Sequence, residues 1–122
     1  MPRPDPAPFL PLPHLSYQVL LALAAGDLHG WAIIKRIHEI AGERATPSSG
    51  SLYLAMVRLE DRGLLQETDA PAGETSDDAR RRYYRLTPLG RAVLRAETQR
   101  LAELVEIARR SRVLDAPAAS GR

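Results

Sequence analysis

Arginines are concentrated in one segment of this sequence, where they could bind anionic groups. Six arginines and no acidic residue lie between Arg80 and Arg95, and the run RRRYYRL opens this segment. A guanidinium stays charged at physiological pH and binds phosphate oxygens through paired hydrogen bonds. A run of arginines on a short strand is therefore typical of a surface that follows a nucleic-acid backbone. A solvated charged face is the other common role of such a run, so the neighbouring residues decide between the two.

The segment before the arginines adds hydroxyl groups at the start of a helix. In SSGSLYLAMVRLEDRGLL, small residues precede an apolar helical pattern, and Ser48 is suited to be the N-cap. Ser49 and Ser51 would place hydroxyl and backbone N–H groups where the helix dipole favours phosphate. Gly50 would let the backbone approach a ligand closely, and Tyr53 has two open roles, as a hydroxyl donor to phosphate or in half-buried packing. Capping alone would account for Ser48, but beside the arginines the pattern favours nucleic-acid binding.

Composition argues against catalysis and against a metal or cofactor site. The chain has 122 residues, no cysteine and three histidines, His14, His29 and His38, which lack the HExxH spacing of a zinc site. Seventeen basic and 15 acidic residues give a formal charge of only +2, so placement of charge matters more than its total. The apolar stretch LSYQVLLALAA is too short to span a bilayer, and prolines interrupt the N-terminus, which does not resemble a signal peptide. We expect one cytoplasmic domain without catalytic, metal-binding or cofactor-binding residues.

Periodicity divides the chain into helices, a hairpin and two loose ends. The predicted elements are helices over 15–25, 30–41 and 48–62, strands over 64–68 and 81–86, and a long helix over 87–112. Six of the ten prolines fall within the first thirteen residues, so residues 1–13 are expected to form a flexible arm. Residues 113–122 are expected to fray. Residues 14–86 are expected to form the DNA-binding domain, and residues 87–112 a C-terminal helix for dimerisation.

Burial of the helical stripes follows from their spacing. Trp31 opens the apolar stripe of the second helix, which favours a place in the core over a ligand-stacking role. In the third helix the inward stripe is expected to consist of Leu52, Met56 and Leu59.

Alternation along the second strand predicts which wing residues face outward. Tyr84 and Leu86 would lie on one face, and Arg81, Tyr83 and Arg85 on the other. Acidic residues in the first strand and the loop should weaken phosphate contact there or pair with the arginines; they are Glu67, Asp69, Glu74, Asp77 and Asp78. The root of the hairpin is therefore expected to be a better phosphate contact than its tip.

The last helix carries an apolar stripe with little domain left to cover it. Leu94, Leu101 and Ala108 are seven residues apart, and Leu104 or Val105 completes the stripe. This spacing predicts a partner helix and hence a dimer, with packing back onto the same chain as the alternative.

The predicted order of three helices, a two-stranded wing and a helix is that of a winged helix-turn-helix protein. The fold class is therefore mainly α with a small β-hairpin, followed by a long C-terminal helix. In such proteins the third helix enters the major groove while the wing follows neighbouring phosphates.

Three segments in this order resemble the PadR family of bacterial transcriptional regulators, in its short form with a single C-terminal helix. They are HGWAIIKRI, GSLYLAMVRLEDRGLL and RRRYYRLTPLGRAVL, and the resemblance extends from about Leu12 to Arg110. It implies a homodimeric DNA-binding protein, usually a repressor, dimerised largely through the last helix. By position, Ser49, Gly50, Ser51 and Tyr53 would fall at the DNA-facing start of the recognition helix, and Arg81 on the wing. The whole expected DNA-binding set is Ser48, Ser49, Gly50, Ser51, Tyr53, Leu54, Val57, Arg80, Arg81, Arg82 and Arg85.

Two positions of the recognition helix depart from the family pattern. Leu54 and Val57 stand where members often carry polar or basic residues, and contact with thymine methyl groups is one use for them. The other possibility is that this helix makes fewer polar contacts with DNA than is usual in the family.

The resemblance also implies release from DNA by a small apolar or aromatic effector. Several members bind such molecules near the dimer interface, between the first and last helices. Here the corresponding effector-binding residues would be Tyr17, Leu94, Thr98 and Leu101. The residues expected to form the dimer stripe are Leu94, Leu101, Leu104, Val105 and Ala108.

Two other classes of protein remain open on the sequence. A winged helix can be a protein-binding scaffold that never contacts nucleic acid. A sequence-nonspecific architectural protein would bind DNA with the same salt dependence but without preference for one operator.

Overall fold

Four helices and three short strands make up residues 5–70 and 82–115, the part of the chain that the computed structural model describes. In chain order they are α1 (His14–Ala22), β1 (Leu28–His29), α2 (Gly30–Ala41), α3 (Ser49–Asp61), β2 (Leu65–Thr68), β3 (Tyr83–Leu86) and α4 (Pro88–Arg110), with single 3-10 turns at Ala7–Phe9 and Glu43–Ala45. The fold is mainly α with a small antiparallel sheet, as the sequence predicts.

Local capping signals set most helix boundaries where they are expected. Helix α2 spans the predicted range and ends at Gly42, whose φ of 84° lies in the left-handed region that glycine tolerates. The side chain of Ser48 caps α3, and that of Thr87 caps α4 ahead of Pro88. Helix α1 ends three residues earlier than predicted, because the chain tightens into a turn in which the Ala24 amide donates to the Leu21 carbonyl.

The sheet contains a strand that the sequence analysis missed. It has the order β1–β3–β2, with Leu28 opposite Tyr84 and Leu65 opposite Leu86, so the wing is three-stranded. Strand β1 directly precedes α2 and has only two residues. A strand of this length is too short to show an alternating pattern in the sequence.

The predicted outward face of β3 is wrong for Tyr83. Tyr83 is only 5% exposed, since the ring of His29 on β1 meets it edge-on at 5.4 Å between centroids. The added strand therefore covers a side chain that would face solvent in a two-stranded wing. Arg85 on the same strand is exposed, as expected, and Leu86 is buried.

The core lies where α1 packs against the other three helices. Val19 and Leu20 of α1 are fully buried there, together with Ile33 and Ile37 of α2. The inward stripe of α3 is buried as predicted: Leu52, Met56 and Leu59. The first half of α4 contributes Val93 and Leu94.

The proline-rich segment packs onto this core, so the expectation of a free arm does not hold for residues 5–13. Leu12 is 8% exposed, and its amide donates to the Glu97 carboxylate on α4 at 2.8 Å. The Arg62 guanidinium lies 4.4 Å from the centre of the Phe9 ring. Apolar burial and these two contacts hold the segment against α3 and α4.

Trp31 is not in the core, contrary to prediction. Its side chain is 66% exposed in the first turn of α2, although Ile33 and Ile37 of the same helix are fully buried. Trp31 lies about 160° around α2 from Ile33, so it points away from the side of the helix that packs into the core.

Candidate nucleic-acid interface

The start of α3 is exposed and ordered by a serine cap. The Ser48 hydroxyl accepts from the Ser51 amide at 3.1 Å and donates to the Ser51 hydroxyl at 3.0 Å. The first amide to enter the helical ladder is that of Leu52, which donates to the Ser48 carbonyl. The amides of Ser49 and Gly50 therefore stand at the positive end of the helix dipole, outside its ladder.

The exposed side of α3 continues from this cap with aromatic and aliphatic side chains. Tyr53 is 68% exposed and Leu54 is 55% exposed, whereas Val57 is half-buried. The structure thus brings these three predicted residues to one surface with Ser49, Gly50 and Ser51.

The two described wing arginines are each paired with a carboxylate. Arg82 lies 3.3 Å from Glu67 on the neighbouring strand, with its own side chain 75% exposed. Arg85 binds Asp27 through two of its nitrogen atoms, and the shorter distance is 2.8 Å. The hydrogen bond with Asp27 raises the pKa of Arg85 above its ordinary value. Arg80 and Arg81, the other two predicted wing contacts, lie outside the described residues.

Asp27 is a neighbour of the wing that the sequence did not indicate. It precedes β1 and lies 58 positions from Arg85 along the chain, so no local pattern links the two. Only the pairing of β1 with β3 brings them together.

Carboxylates also surround the root of the wing. Burial and the nearby Glu67 carboxylate both raise the pKa of Glu60, burial having the larger effect. The same two causes raise the pKa of the Tyr84 hydroxyl. The negative charge at this edge opposes the arginines and limits the positive potential of the wing.

An open groove of about 380 Å³ separates the wing from the helices. Its lining is largely apolar and includes Trp31, Ile34, Tyr53, Tyr84 and Arg82. The groove connects the exposed start of α2 with the exposed side of α3.

Two of the four residues expected to hold an effector link α1 to α4. The hydroxyl groups of Tyr17 and Thr98 are 2.8 Å apart, and the Thr98 hydroxyl donates to the Leu94 carbonyl at 2.8 Å. Leu94 is 7% exposed, so its side chain is part of the chain's own core, whereas Leu101 is half-buried.

The structure offers no metal site or membrane span in the regions that it describes. Across residues 5–70 and 82–115, no three His, Cys, Asp or Glu side chains are grouped to hold a metal ion. No helix in these ranges is both long and apolar enough to cross a membrane.

Three helices followed by a wing and a further helix define a winged helix-turn-helix protein, and comparison with known proteins identifies its family. The model of the Transcriptional regulator PadR-like family matches residues 19–96. The chain therefore belongs to this family, whose members are transcription regulators and not enzymes.

Relatives and solved structures agree with this assignment. The chain is 41% identical over 86 residues to a 37.1 kDa protein in a Streptomyces fradiae transposon, covering 70% of this chain but only 22% of that protein. It is 31% identical over 94 residues to protein X of Lysinibacillus sphaericus, covering 77% of this chain and 84% of the relative. A PadR family transcription regulator from Clostridium difficile has the same fold, with a TM-score of 0.69 and 24% identity over 80% of this chain and 97% of that one.

Proposed function

We propose that the chain is a homodimeric, site-specific DNA-binding transcription regulator that acts as a repressor. The observation that carries this proposal is the capped, exposed start of α3 beside a wing that bears arginines. Membership of the PadR-like family supports it. With α3 in the major groove, the amides of Ser49 and Gly50 and the hydroxyl of Ser51 would contact phosphates or base edges. Tyr53 would offer its exposed hydroxyl to a phosphate.

On the wing, the two arginine pairs predict different contributions to DNA binding. The pair of Arg82 with Glu67 is solvent-exposed, and such pairs contribute only about 0–1 kcal/mol, so a phosphate can replace the carboxylate at low cost. Arg85 is held more firmly by hydrogen bonds from two of its nitrogen atoms to Asp27, and this carboxylate offsets the positive charge that Arg85 would offer to a phosphate. We therefore assign the stronger phosphate contact to Arg82, with Arg80 and Arg81 as further proposed contacts.

The proposed dimer rests on one face of α4, which is buried in the first part of the helix and exposed in the second part. Residues spaced by three and four place Val93, Leu94 and Glu97 on the same face as Leu101 and Leu104. The first three are buried by their own chain, Leu101 is half-buried and Leu104 is 50% exposed. On the same face, Val105 is exposed and Ala108 is half-buried. A second copy of α4 would cover the half of the stripe that the protomer leaves open.

Effector control remains part of this proposal. A small apolar or aromatic molecule between α1 and α4, near Tyr17, Thr98 and Leu101, would change the separation of the two recognition helices. Half-sites on DNA lie about 34 Å apart per helical turn, so a small rotation at the dimer axis would misplace both.

Binding to DNA from the chain's own upstream region, compared with scrambled DNA of equal length, tests the proposal. Fluorescence anisotropy in a salt series should reveal a preference for the native fragment and an affinity that falls as salt rises. Absence of any DNA binding would favour a protein-binding scaffold, and binding without preference would favour an architectural protein.

Charge reversal on the wing makes this test specific to the proposed surface. Arg82→Glu should weaken binding at least about tenfold and reduce the dependence on salt, since roughly one phosphate contact is lost. Arg95→Glu is the matched control, because it makes the same charge change on the exposed side of α4. Equal losses for the two variants would mean that overall charge, and not the wing, determines binding.

A further inference from the structure

The side of α3 that would face the bases is apolar. Positions three and four apart share a helix face, which puts Gly50, Tyr53, Leu54 and Val57 opposite the buried stripe of α3. Leu54 keeps 55% of its surface exposed in the protomer. An exposed leucine in the second turn of this helix is in the position from which side chains reach base edges.

The first two turns of α3 lack the side chains that usually read guanine and adenine. Arginine and lysine pair with guanine, and asparagine and glutamine with adenine. The segment Ser49–Asp61 contains none of these residues except Arg58. Arg58 comes after the first two turns, and it lines a separate cavity of about 210 Å³ together with Leu12 and Ser16. The first two turns therefore present only hydroxyl groups, backbone groups and apolar side chains.

The major-groove feature that matches an aliphatic side chain is the C5-methyl group of a pyrimidine. Thymine carries this methyl group, and 5-methylcytosine carries one at the same ring position. We propose that Leu54, with Val57 beside it, reads pyrimidine C5-methyl groups. The operator then contains a thymine at this position in each half-site, and 5-methylcytosine binds better there than cytosine. This inference rests on the proposed function, because it requires α3 to lie in the major groove.

The expected effect of one methyl group is measurable. Burial of one methylene-sized group contributes about 0.8 kcal/mol, which corresponds to about a fourfold change in affinity. Removal of the methyl group in both half-sites should therefore weaken the dimer's binding about sixteenfold.

The first step of the test is to select the preferred site of the full chain from random-sequence DNA duplexes at physiological salt. Deoxyuridine, which lacks only the methyl group, then replaces each thymine of that site in turn, and anisotropy gives each dissociation constant. We expect one thymine per half-site at which wild-type affinity falls about fourfold. Leu54→Ala should bind the unmodified site more weakly and lose this sensitivity to deoxyuridine. Val113→Ala trims an aliphatic side chain that is 79% exposed beyond the end of α4, and it should keep the wild-type sensitivity.

The same position gives a second measurement with cytosine. A duplex with 5-methylcytosine there should bind the wild-type chain about fourfold more tightly than one with cytosine, and Leu54→Ala should bind the two equally. Because Leu54 is exposed, this variant is expected to fold, and circular dichroism checks that it does.

The outcomes separate the methyl reading from the proposed function. Failure to select any site would remove the proposed function, and the inference with it. A selected site at which deoxyuridine is tolerated at every thymine would overturn the methyl reading and leave site-specific binding intact. Full deoxyuridine sensitivity in Leu54→Ala would also overturn it, since another residue would then contact the methyl group.

Discussion

Glu97 joins the N-terminal segment to α4 from an almost fully buried position. It is 1% exposed, and its carboxylate accepts from the Leu12 amide at 2.8 Å and from Arg100 at 3.0 Å. The hydrogen bond from Arg100 is the main cause of a lowered pKa of Glu97; burial opposes it, and the Leu12 amide adds to the lowering. A buried charge with these partners stabilises the fold only while it stays ionised.

Glu97→Gln keeps the shape of this side chain and removes its charge. We expect a loss of about 1–3 kcal/mol in the free energy of unfolding at pH 7, because hydrogen bonds to a charged group are lost. The folded-state pKa lies below the ordinary value of 4.5, so the contribution of the charge is present above that pH and disappears as pH falls through the folded-state pKa. Urea unfolding of both proteins should give a difference that shrinks below about pH 4.5.

Glu106→Gln is the control for this prediction. Glu106 also pairs with an arginine three residues later, at 3.2 Å from Arg109, but its side chain is 55% exposed. Its replacement should change stability by no more than about 0.5 kcal/mol. Similar losses for the two variants, or a Glu97→Gln difference that does not depend on pH, would contradict the role given to the buried carboxylate.

At the scale of elements, the start of α4 lies directly on the turn that follows α3. The Thr87 amide donates to the Leu64 carbonyl at 3.2 Å, and the Thr87 hydroxyl donates to the Gly63 carbonyl at 2.6 Å. A Cβ atom at Gly90 would collide with the Leu64 carbonyl oxygen. The close approach of α4 to this turn therefore requires glycine at that position.

Gly90→Ala should destabilise the protein although alanine favours helices. The substitution gains up to about 1 kcal/mol in helix propensity, but the clash should produce a net loss of roughly 1–3 kcal/mol. Gly50→Ala is the matched control, since Gly50 is also in a helix and a Cβ there has nothing within 4 Å. Thermal unfolding should show a lower melting temperature for the first variant and an unchanged or higher one for the second. If Gly90→Ala melts like the wild type, the helix and the turn are not in backbone contact.

The whole molecule is expected to be a dimer held by the open half of the α4 stripe. Leu104→Asp would put a carboxylate into that interface, at a cost of at least roughly 2 kcal/mol or about thirtyfold in the dimer dissociation constant. Leu104 is 50% exposed in the protomer, so the protomer itself should stay folded. Sedimentation velocity over a range of concentrations should detect monomers.

Gln99→Asp serves as the control on the opposite side of the same helix. Gln99 is exposed and lies two positions from Leu101, which turns it away from the stripe. This variant should stay dimeric. A dimer that persists in Leu104→Asp, or one that is lost in both variants, would show that the interface lies elsewhere.

Elements with local signals could be predicted from the sequence. The bounds of α2, the Ser48 cap of α3 and the Thr87–Pro88 start of α4 depend on residues within one or two helical turns. Apolar spacing likewise identified the buried stripe of α3, because helix geometry alone relates residues three and four apart. The order of these elements and three sequence segments were enough to indicate the family and the face of α3 that carries the candidate site.

Features that depend on residues far apart in the chain could not be predicted and became visible in the folded structure. Strand β1 is too short to predict, yet it buries Tyr83 and brings Asp27 to Arg85, 58 positions away. Glu97 holds the N-terminal segment across 85 positions. Periodicity predicts which side of an element is apolar. The length and placement of the neighbouring elements determine how much of that side is covered. The same reason leaves half of the α4 stripe open in a single chain.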